Sequence, residues 1–198
     1  MNTGTSENED IVDMERLAAG YDAALNNLIE RHGERLFRFL TRLLQNESDA
    51  EDLAQESFVR VYQHRARFDS RQKFSTWLYA IASNLARDRF RWRARHAQVS
   101  LDTESEETGG ALADRLPEQT ASPSQSIEAS ERTAAVREAV AALPEDLRLP
   151  LVLAEYEERP QAEIAKILDC SVKAVEMRIY RARQQLRKRL QSLFAADA

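Results

Sequence analysis

Residues 160–190 read PQAEIAKILDCSVKAVEMRIYRARQQLRKRL, and they contain the most informative pattern in the chain. Its spacing predicts a short helix ending near Leu168, a turn over residues 169–171 and a longer helix for which Ser171 is the N-cap. The longer helix has one apolar face, because its apolar residues recur at steps of three or four: Val172, Val175, Ile179, Ala182, Leu186, Leu190 and Leu193. The stretch is therefore predicted to form a helix-turn-helix packed on other helices.

The opposite face of the longer helix is basic. From Lys173 to Arg189 the sequence has 7 Lys or Arg residues and one acid, Glu176. A basic face opposite an apolar one is typical of a helix that enters the major groove of DNA. The alternative is a basic face that is only solvated, but the large side chains among the charges favour a covering partner. The candidate DNA-binding residues are Ser171, Lys173, Glu176, Met177, Arg178, Tyr180, Arg181 and Arg183.

Composition excludes several classes of protein. The 198-residue chain has 5 Gly and 5 Pro residues, which favours one or two small helix-rich domains. We expect no transmembrane segment and no signal peptide, because the sequence has no long apolar run and an acidic N-terminus. A single cysteine, Cys170, excludes an internal disulfide and favours a reducing cytoplasm. We expect no enzyme activity, cofactor, metal or small-molecule substrate, because no nucleophile–base set, Gly-rich phosphate loop or metal-ligand spacing occurs.

The distribution of charge predicts the domain organisation. Residues 98–131 hold 8 acids and one Arg, and basic blocks lie on either side of them. We expect an all-α fold of two small helical domains, at residues 11–96 and 127–194, joined by a flexible acidic linker at residues 97–126. Residues 1–10 are predicted to be disordered. The acidic linker either avoids duplex DNA, mimics nucleic acid in a basic channel, or is only a soluble tether.

A helix with an acidic face is predicted from Asp49 to about Ala66. Residues 48–51, SDAE, have the spacing of a capping box at its start. An acidic face on a protein with basic DNA-binding helices suits a basic protein partner, although a merely solvated face has the same pattern. Paired catalytic carboxylates are a third interpretation, but no nearby His or metal set supports it. The face consists of Asp49, Asp52, Gln55 and Glu56.

The following loop and helix mix aromatic rings with cations. The loop includes Arg67, Phe68, Arg71 and Lys73, and the next helix is predicted to start near Phe74. This mixture suits single-stranded DNA, whose bases stack on rings while cations contact phosphates. One helix face is predicted to be buried, formed by Phe74, Leu78, Ile81, Leu85 and Trp92; the opposite face has Thr76, Tyr79, Ser83, Arg87 and Phe90. The alternative is that Tyr79 and Phe90 pack against another helix of the bundle.

Taken together, these motifs resemble those of a sigma-70 family sigma factor of the extracytoplasmic-function (ECF) group, over about residues 11–192. In family region 2 the resemblance rests on residues 49–58 (DAEDLAQESF) and residues 74–84 (FSTWLYAIASN), with Asp88. In family region 4 it rests on Leu143-Pro144, Glu163-Ile164-Ala165, Val172, Val175, Arg178 and Arg181-Ala182-Arg183.

The resemblance implies a function and partners. Such factors bind core RNA polymerase, through the β′ clamp helices and the β subunit, and direct it to promoter DNA. It implies that Asp49, Asp52, Gln55 and Glu56 contact the polymerase, and that the recognition helix reads the −35 element. It also implies an anti-sigma factor as regulator. For the −10 element it implies contacts from Arg67, Phe68, Arg71, Lys73, Thr76, Trp77, Tyr79, Asn84 and Arg87.

This sequence also departs from the family pattern. Lys173-Ala174 replaces the usual Gly-Thr before Val175, and Glu176-Met177 replaces a basic-then-small pair. Because a carboxylate accepts from cytosine N4 and an apolar group contacts the thymine methyl, we expect an unusual −35 preference. Two other classes of protein stay open: a sigma-like decoy that binds a regulator without DNA, and a plain helix-turn-helix regulator, which would need neither the acidic helix nor the aromatic one.

Overall fold

The computed structural model describes residues 3–97 and 123–194, and within these ranges it consists of eight α-helices and one 3₁₀ turn at Arg65–Arg67. The helices are α1 (Thr3–Ala18), α2 (Ala24–Leu44), α3 (Glu47–His64), α4 (Phe74–Ala97), α5 (Pro123–Ala141), α6 (Glu145–Glu155), α7 (Gln161–Ile167) and α8 (Val172–Phe194). The predicted all-α fold is confirmed for the described residues. The predicted linker lies largely outside them.

Helices α1–α4 form the N-terminal unit, residues 3–97. Helix α2 packs on both α3 and α4, and its apolar stripe is fully buried at Leu36, Phe39, Leu40 and Leu43. Burial of each such side chain contributes about 1.5–3 kcal/mol, so the stripe of α2 supplies much of the stability of this unit. Packing on this stripe fixes the directions in which α3 and α4 present their other faces.

Helices α5–α8 form the C-terminal unit, residues 123–194. Helices α6 and α7 both pack on α8, whose buried residues include Val175, Ile179 and Ala182. The turn before α8 contains Asp169 in the left-handed region, at φ 50°. The hydroxyl of Ser171 accepts from the backbone N–H of Ala174 at 3.2 Å, as an N-cap does. The predicted helix-turn-helix and its cap are therefore confirmed.

The prediction of a disordered N-terminus is wrong from Thr3 onwards, because α1 packs on α2. Two buried carboxylates hold it there. Asp10 accepts from Arg31 at 2.9 Å and lies 2.9 Å from the ring nitrogen of His32, and Asp13 also accepts from Arg31 at 2.5 Å. These partners lie about twenty residues away in sequence, so the local acidic composition gave no sign of them.

The predicted capping box at residues 48–51 is also wrong. Helix α3 begins at Glu47, two residues earlier than that pattern requires, and its N-cap is Asn46 rather than Ser48. The side-chain oxygen of Asn46 accepts from the N–H of Asp49 at 2.8 Å. Asn is as good an N-cap as Ser, so local propensity did not distinguish Asn46 from Ser48 two residues later.

Helix α4 is buried on both faces over its first three turns, which corrects the predicted division into one buried and one open face. Thr76, Tyr79 and Ser83 are buried, although they were predicted to lie on the open side. The cause is the C-terminal unit, whose helix α7 packs on α4. Trp92, predicted to be buried, is 49% exposed and stacks on His96 near the free end of the helix.

None of the helices in the described ranges is long and apolar enough to cross a membrane. Nor do His, Cys, Asp and Glu side chains of those ranges form a group of three or more that would hold a metal ion.

Candidate polymerase and nucleic-acid interfaces

The predicted polymerase-binding residues of α3 divide into two sets. Asp52 and Gln55 are exposed, and Glu56 is partly exposed and pairs with Arg60 one turn later at 2.9 Å. Asp49 instead points towards α4, where it accepts from Arg89 at 2.7 Å and also from Arg93. The structure therefore leaves Asp52, Gln55 and Glu56 accessible as one face, whereas Asp49 joins α3 to α4.

The loop before α4 is organised by a small aromatic cluster. The ring of Phe68 lies 5.3 Å from that of Trp77 and 6.2 Å from that of Phe74, so the loop is anchored on the start of α4. Both guanidinium Nε and Nη2 of Arg71 donate to the Asp69 carboxylate, which holds the pKa of Asp69 down to about 2. The turn that follows the anchored ring is thereby fixed.

The predicted −10 residues of the loop remain accessible. Arg67, Arg71 and Lys73 are exposed and Phe68 is half-buried. Lys73 pairs with Glu7 of α1 at 2.6 Å. The structure therefore presents three cations around one partly exposed ring, which is the combination that suits a single-stranded segment.

The predicted −10 residues within α4 are not accessible together. Thr76 and Tyr79 are buried, Trp77 is half-buried and Asn84 is exposed. Arg87 is half-buried, and its guanidinium donates to Asn84 at 3.2 Å and to the backbone oxygen of Leu168 at 3.4 Å. Contact with the C-terminal unit therefore covers part of the surface that was predicted to bind the −10 element.

Helix α8 presents most of its predicted −35 residues to solvent: Ser171, Lys173, Glu176, Met177, Tyr180, Arg181 and Arg183 are exposed. Glu176 pairs with Lys173 at 2.9 Å, and the Tyr180 hydroxyl accepts from Gln184 at 2.7 Å. The large exposed side chains Met177 and Tyr180 lie among these charges, as a surface that binds a partner requires.

Two arginines of α8, Arg183 and Arg178, contact other residues of the C-terminal unit. Arg183 donates from both Nε and Nη2 to Oε1 of Glu155 in α6, at 3.0 Å and 2.6 Å. Arg178 is half-buried and lies 3.7 Å from the sulfur of Cys170. Arg178 and Cys170 also line a cleft whose opposite wall is formed by α4, at Asn84, Arg87 and Arg91.

Sequence reasoning missed the polar residues that join the two units. Glu157 is only 3% exposed, and its carboxylate accepts from Arg35 at 2.7 Å and from the Tyr79 hydroxyl at 2.5 Å. Arg148 of α6 donates to the backbone oxygen of Leu43 at 2.8 Å and lies over the ring of Phe90. Their partners are between 58 and 122 residues away, so local patterns gave no signal.

Two family models match the chain: "Sigma-70 region 2" over residues 28–96 and "Sigma-70, region 4" over residues 133–186. The first match covers α2–α4 and the second covers most of α5–α8, so each model coincides with one helical unit.

Relatives match nearly the whole chain. It is 32% identical to the ECF RNA polymerase sigma factor SigW of Bacillus subtilis, over 91% of this chain and 96% of the relative. Among solved structures, CnrH in complex with the cytosolic domain of CnrY is 28% identical, with a TM-score of 0.65 and coverage of 96% of this chain and 99% of that chain.

The sigma factor RpoE, solved in complex with the anti-sigma factor NepR from Bartonella quintana, shares the fold at 20% identity, with a TM-score of 0.66 over 84% of this chain and 96% of that chain. Both helical units, in the same order, are thus those of known sigma factors. The chain belongs to the extracytoplasmic-function group of the sigma-70 family of RNA polymerase sigma factors.

Proposed function

We propose that this chain binds core RNA polymerase and directs it to initiate transcription at a specific set of promoters. The observation that carries the proposal is that one chain presents two exposed surfaces of opposite charge. The acidic face of α3 offers Asp52, Gln55 and Glu56, and the basic face of α8 offers Lys173 and Arg181. An ordinary helix-turn-helix regulator would need only the second surface.

In this proposal the acidic face of α3 binds the β′ clamp helices. The loop at residues 67–73, with the start of α4, captures the opened −10 element, because the ring of Phe68 and its surrounding cations suit an unstacked base and its phosphates. Helix α8 reads the −35 element in the major groove. Initiation by such a factor requires no catalytic group of its own, since the polymerase performs the chemistry, and the site of action is the cytoplasm.

A partner protein is the second part of the proposal. An anti-sigma factor would hold the factor inactive, and both solved relatives described above are in complexes with a second protein. The exposed side chains of Val172, Met177 and Tyr180 on α8 offer apolar area for such a partner as well as for DNA.

Run-off transcription tests the function. Purified core polymerase would be assayed with and without this chain on a library of genomic promoter fragments. We expect start sites that depend on the chain, with shared −35 and −10 sequences upstream. Tight binding to core without new start sites would instead identify a decoy, and the absence of both would identify a DNA-binding regulator of another kind.

A further inference from the structure

The two units are joined through a buried carboxylate. Glu157 follows α6 and reaches the N-terminal unit, where Oε2 accepts from Nε of Arg35 at 2.7 Å and from the Tyr79 hydroxyl at 2.5 Å. The backbone oxygen of Glu157 also accepts from Arg35 at 3.0 Å. We call these three residues the Glu157 latch. An isolated carboxylate would be very unfavourable at this depth, so the latch depends on both partners being in place.

A second set of contacts lies beside the latch. Glu163 of α7 accepts from the Thr76 hydroxyl at 2.8 Å and from Arg159 at 2.6 Å. Arg159 also donates to the Ser75 hydroxyl at 3.0 Å and lies over the ring of Tyr79 at 4.8 Å from its centroid. The first two turns of α4, which carry predicted −10 residues, are therefore occupied by side chains of the C-terminal unit.

The same packing brings α4, with predicted −10 residues, and the start of α8, the predicted −35 helix, to one cleft. Asn84 and Arg87 of α4 and Arg178 of α8 line it, and Arg87 contacts the backbone oxygen of Leu168 at the end of α7. On a promoter the two elements are centred about 25 base pairs apart, which is about 85 Å of duplex at about 3.4 Å per base pair. Surfaces that share one cleft cannot contact both elements at once.

We propose that the packed arrangement of the two units is an autoinhibited state of the free factor, held by the Glu157 latch, and that simultaneous engagement of the −10 and −35 elements requires the latch to open. This inference rests on the function proposed above. It assigns a regulatory role to Glu157 and Arg35, and it gives Tyr79 a role in the closed state that is independent of any contact with DNA.

The closed interface is also poorly suited to permanent association. The Nε atoms of Arg148 and Arg159 are buried without a hydrogen-bond partner, and both side chains contact the N-terminal unit. A buried donor without a hydrogen-bond partner destabilises the closed arrangement. In the open arrangement both Nε atoms would be able to bond to water.

Two substitutions test the latch. Glu157→Gln keeps the shape of the side chain and removes its charge, and Tyr79→Phe keeps the ring on Phe39 and removes the hydroxyl. Since a hydrogen bond to a charged group is involved in each case, we expect the ratio of open to closed molecules to rise about tenfold. The matched control is Glu138→Gln, which removes one exposed negative charge from α5.

Opening would be measured on the full-length chain in two ways. Small-angle scattering would give the radius of gyration, and the rate of thiol labelling would report on Cys170, the single cysteine of the sequence, which lines the cleft. We expect both latch variants, but not the control, to expand and to be labelled severalfold faster while keeping wild-type helix content. Variants that stay as compact and as slowly labelled as wild type would overturn the latch.

The functional measurement uses Glu157→Gln alone, because Tyr79 is itself a predicted DNA contact. We expect this variant to bind single-stranded −10 DNA severalfold more tightly than wild type, because the closed state covers residues of α4. We expect its binding to core polymerase and to a −35 duplex to match wild type, because Asp52 and Arg181 are already exposed in the closed state. Expansion without tighter binding of the −10 strand would show that the closed state does not inhibit, and would overturn the proposal. If neither wild type nor variant binds polymerase, the proposed function fails, whereas scattering and labelling still decide whether the latch exists.

Discussion

The hydroxyl of Tyr79 in α4 donates a 2.5 Å hydrogen bond to the carboxylate of Glu157, which lies between α6 and α7. The ring of Tyr79 packs edge-on against Phe39 at 4.9 Å, so one side chain belongs to the core of the N-terminal unit and to its boundary with the C-terminal unit. Tyr79 is 2% exposed. Because Tyr79 lies at this boundary, the accessibility of its face of α4 depends on whether the two units are packed together.

The first prediction concerns the titration of Tyr79. Burial, and next the negative charge of Glu157, raise the pKa of its hydroxyl above the ordinary value of about 10. Because the folded-state pKa is the higher one, this hydroxyl stabilises the fold below about pH 10, and the contribution is lost as the pH rises towards the folded-state pKa. Tyrosinate absorbance should therefore show that one of the 5 tyrosines ionises later than the rest.

The assignment of that delayed step has a direct control. Tyr79→Phe should remove it, whereas Tyr180→Phe, which alters a ring that is 55% exposed, should leave it in place. Simultaneous ionisation of all tyrosines at a pH where the protein remains folded would contradict the buried hydrogen bond.

The second prediction separates Asp49 from Asp52 by stability. The Asp49 side chain is 15% exposed and bonded to Arg89 and Arg93, so Asp49→Ala removes two charge-assisted hydrogen bonds and leaves two guanidinium groups close together. We expect a loss of about 2 kcal/mol, which lowers Tm by about 4–8 °C in a chain of this size. Asp52→Ala should change Tm little, because that side chain is exposed. Equal Tm values in calorimetry would contradict this division of α3.

The third prediction concerns the accessible face of α3. Asp52→Ala combined with Gln55→Ala should weaken binding to core polymerase about tenfold or more without changing helix content, since the pair lies at the centre of the proposed contact. A pull-down or titration with core polymerase would measure it. The control is Glu30→Ala, which removes an exposed acid from α2. Unchanged affinity in the double variant would exclude this face as the contact.

The fourth prediction concerns the basic face of α8. Arg181 is exposed there, and Arg181→Ala should weaken binding to a −35 duplex by roughly tenfold. If Arg181 contacts a phosphate, the loss of affinity will be similar for all sequences, and the slope of log affinity against log salt concentration will decrease by about one. If it contacts a base, the variant will instead lose specificity at one position of the −35 element. The control is Arg38→Ala on α2, an exposed arginine outside the proposed interfaces. Full promoter affinity in the Arg181 variant would show that the helix presents another face to DNA.

The specificity of α8 gives a fifth prediction. Glu176 is the single acid between Lys173 and Arg189, and it is exposed although paired with Lys173. If it accepts from cytosine N4, Glu176→Ala should reduce discrimination at one −35 position by about 1–3 kcal/mol and leave binding to other sequences largely unchanged. Binding to a set of duplexes with single base changes would measure this, and uniform effects across the set would assign the residue a general electrostatic role.

Most of the helices and the chemistry of their faces could be predicted from the sequence alone. The apolar spacing of residues 172–193, the cap at Ser171 and the acid-rich start of α3 are local properties, because helix periodicity and capping depend on neighbours within a few residues. The family resemblance rests on the same local motifs. For that reason the sequence alone is enough to propose the accessible residues Asp52, Gln55 and Arg181 as contacts.

Which of the proposed contacts are free depends on the tertiary structure. A helical pattern shows that Thr76 and Tyr79 share a face of α4, but that face is buried by residues of α7 and the preceding loop, about 80 residues later in the chain. Asp49 has the same local pattern as Asp52, yet it is held by two arginines at least 40 residues away. Periodicity determines the direction of a side chain from its own helix, whereas burial and pairing depend on what the rest of the chain places there.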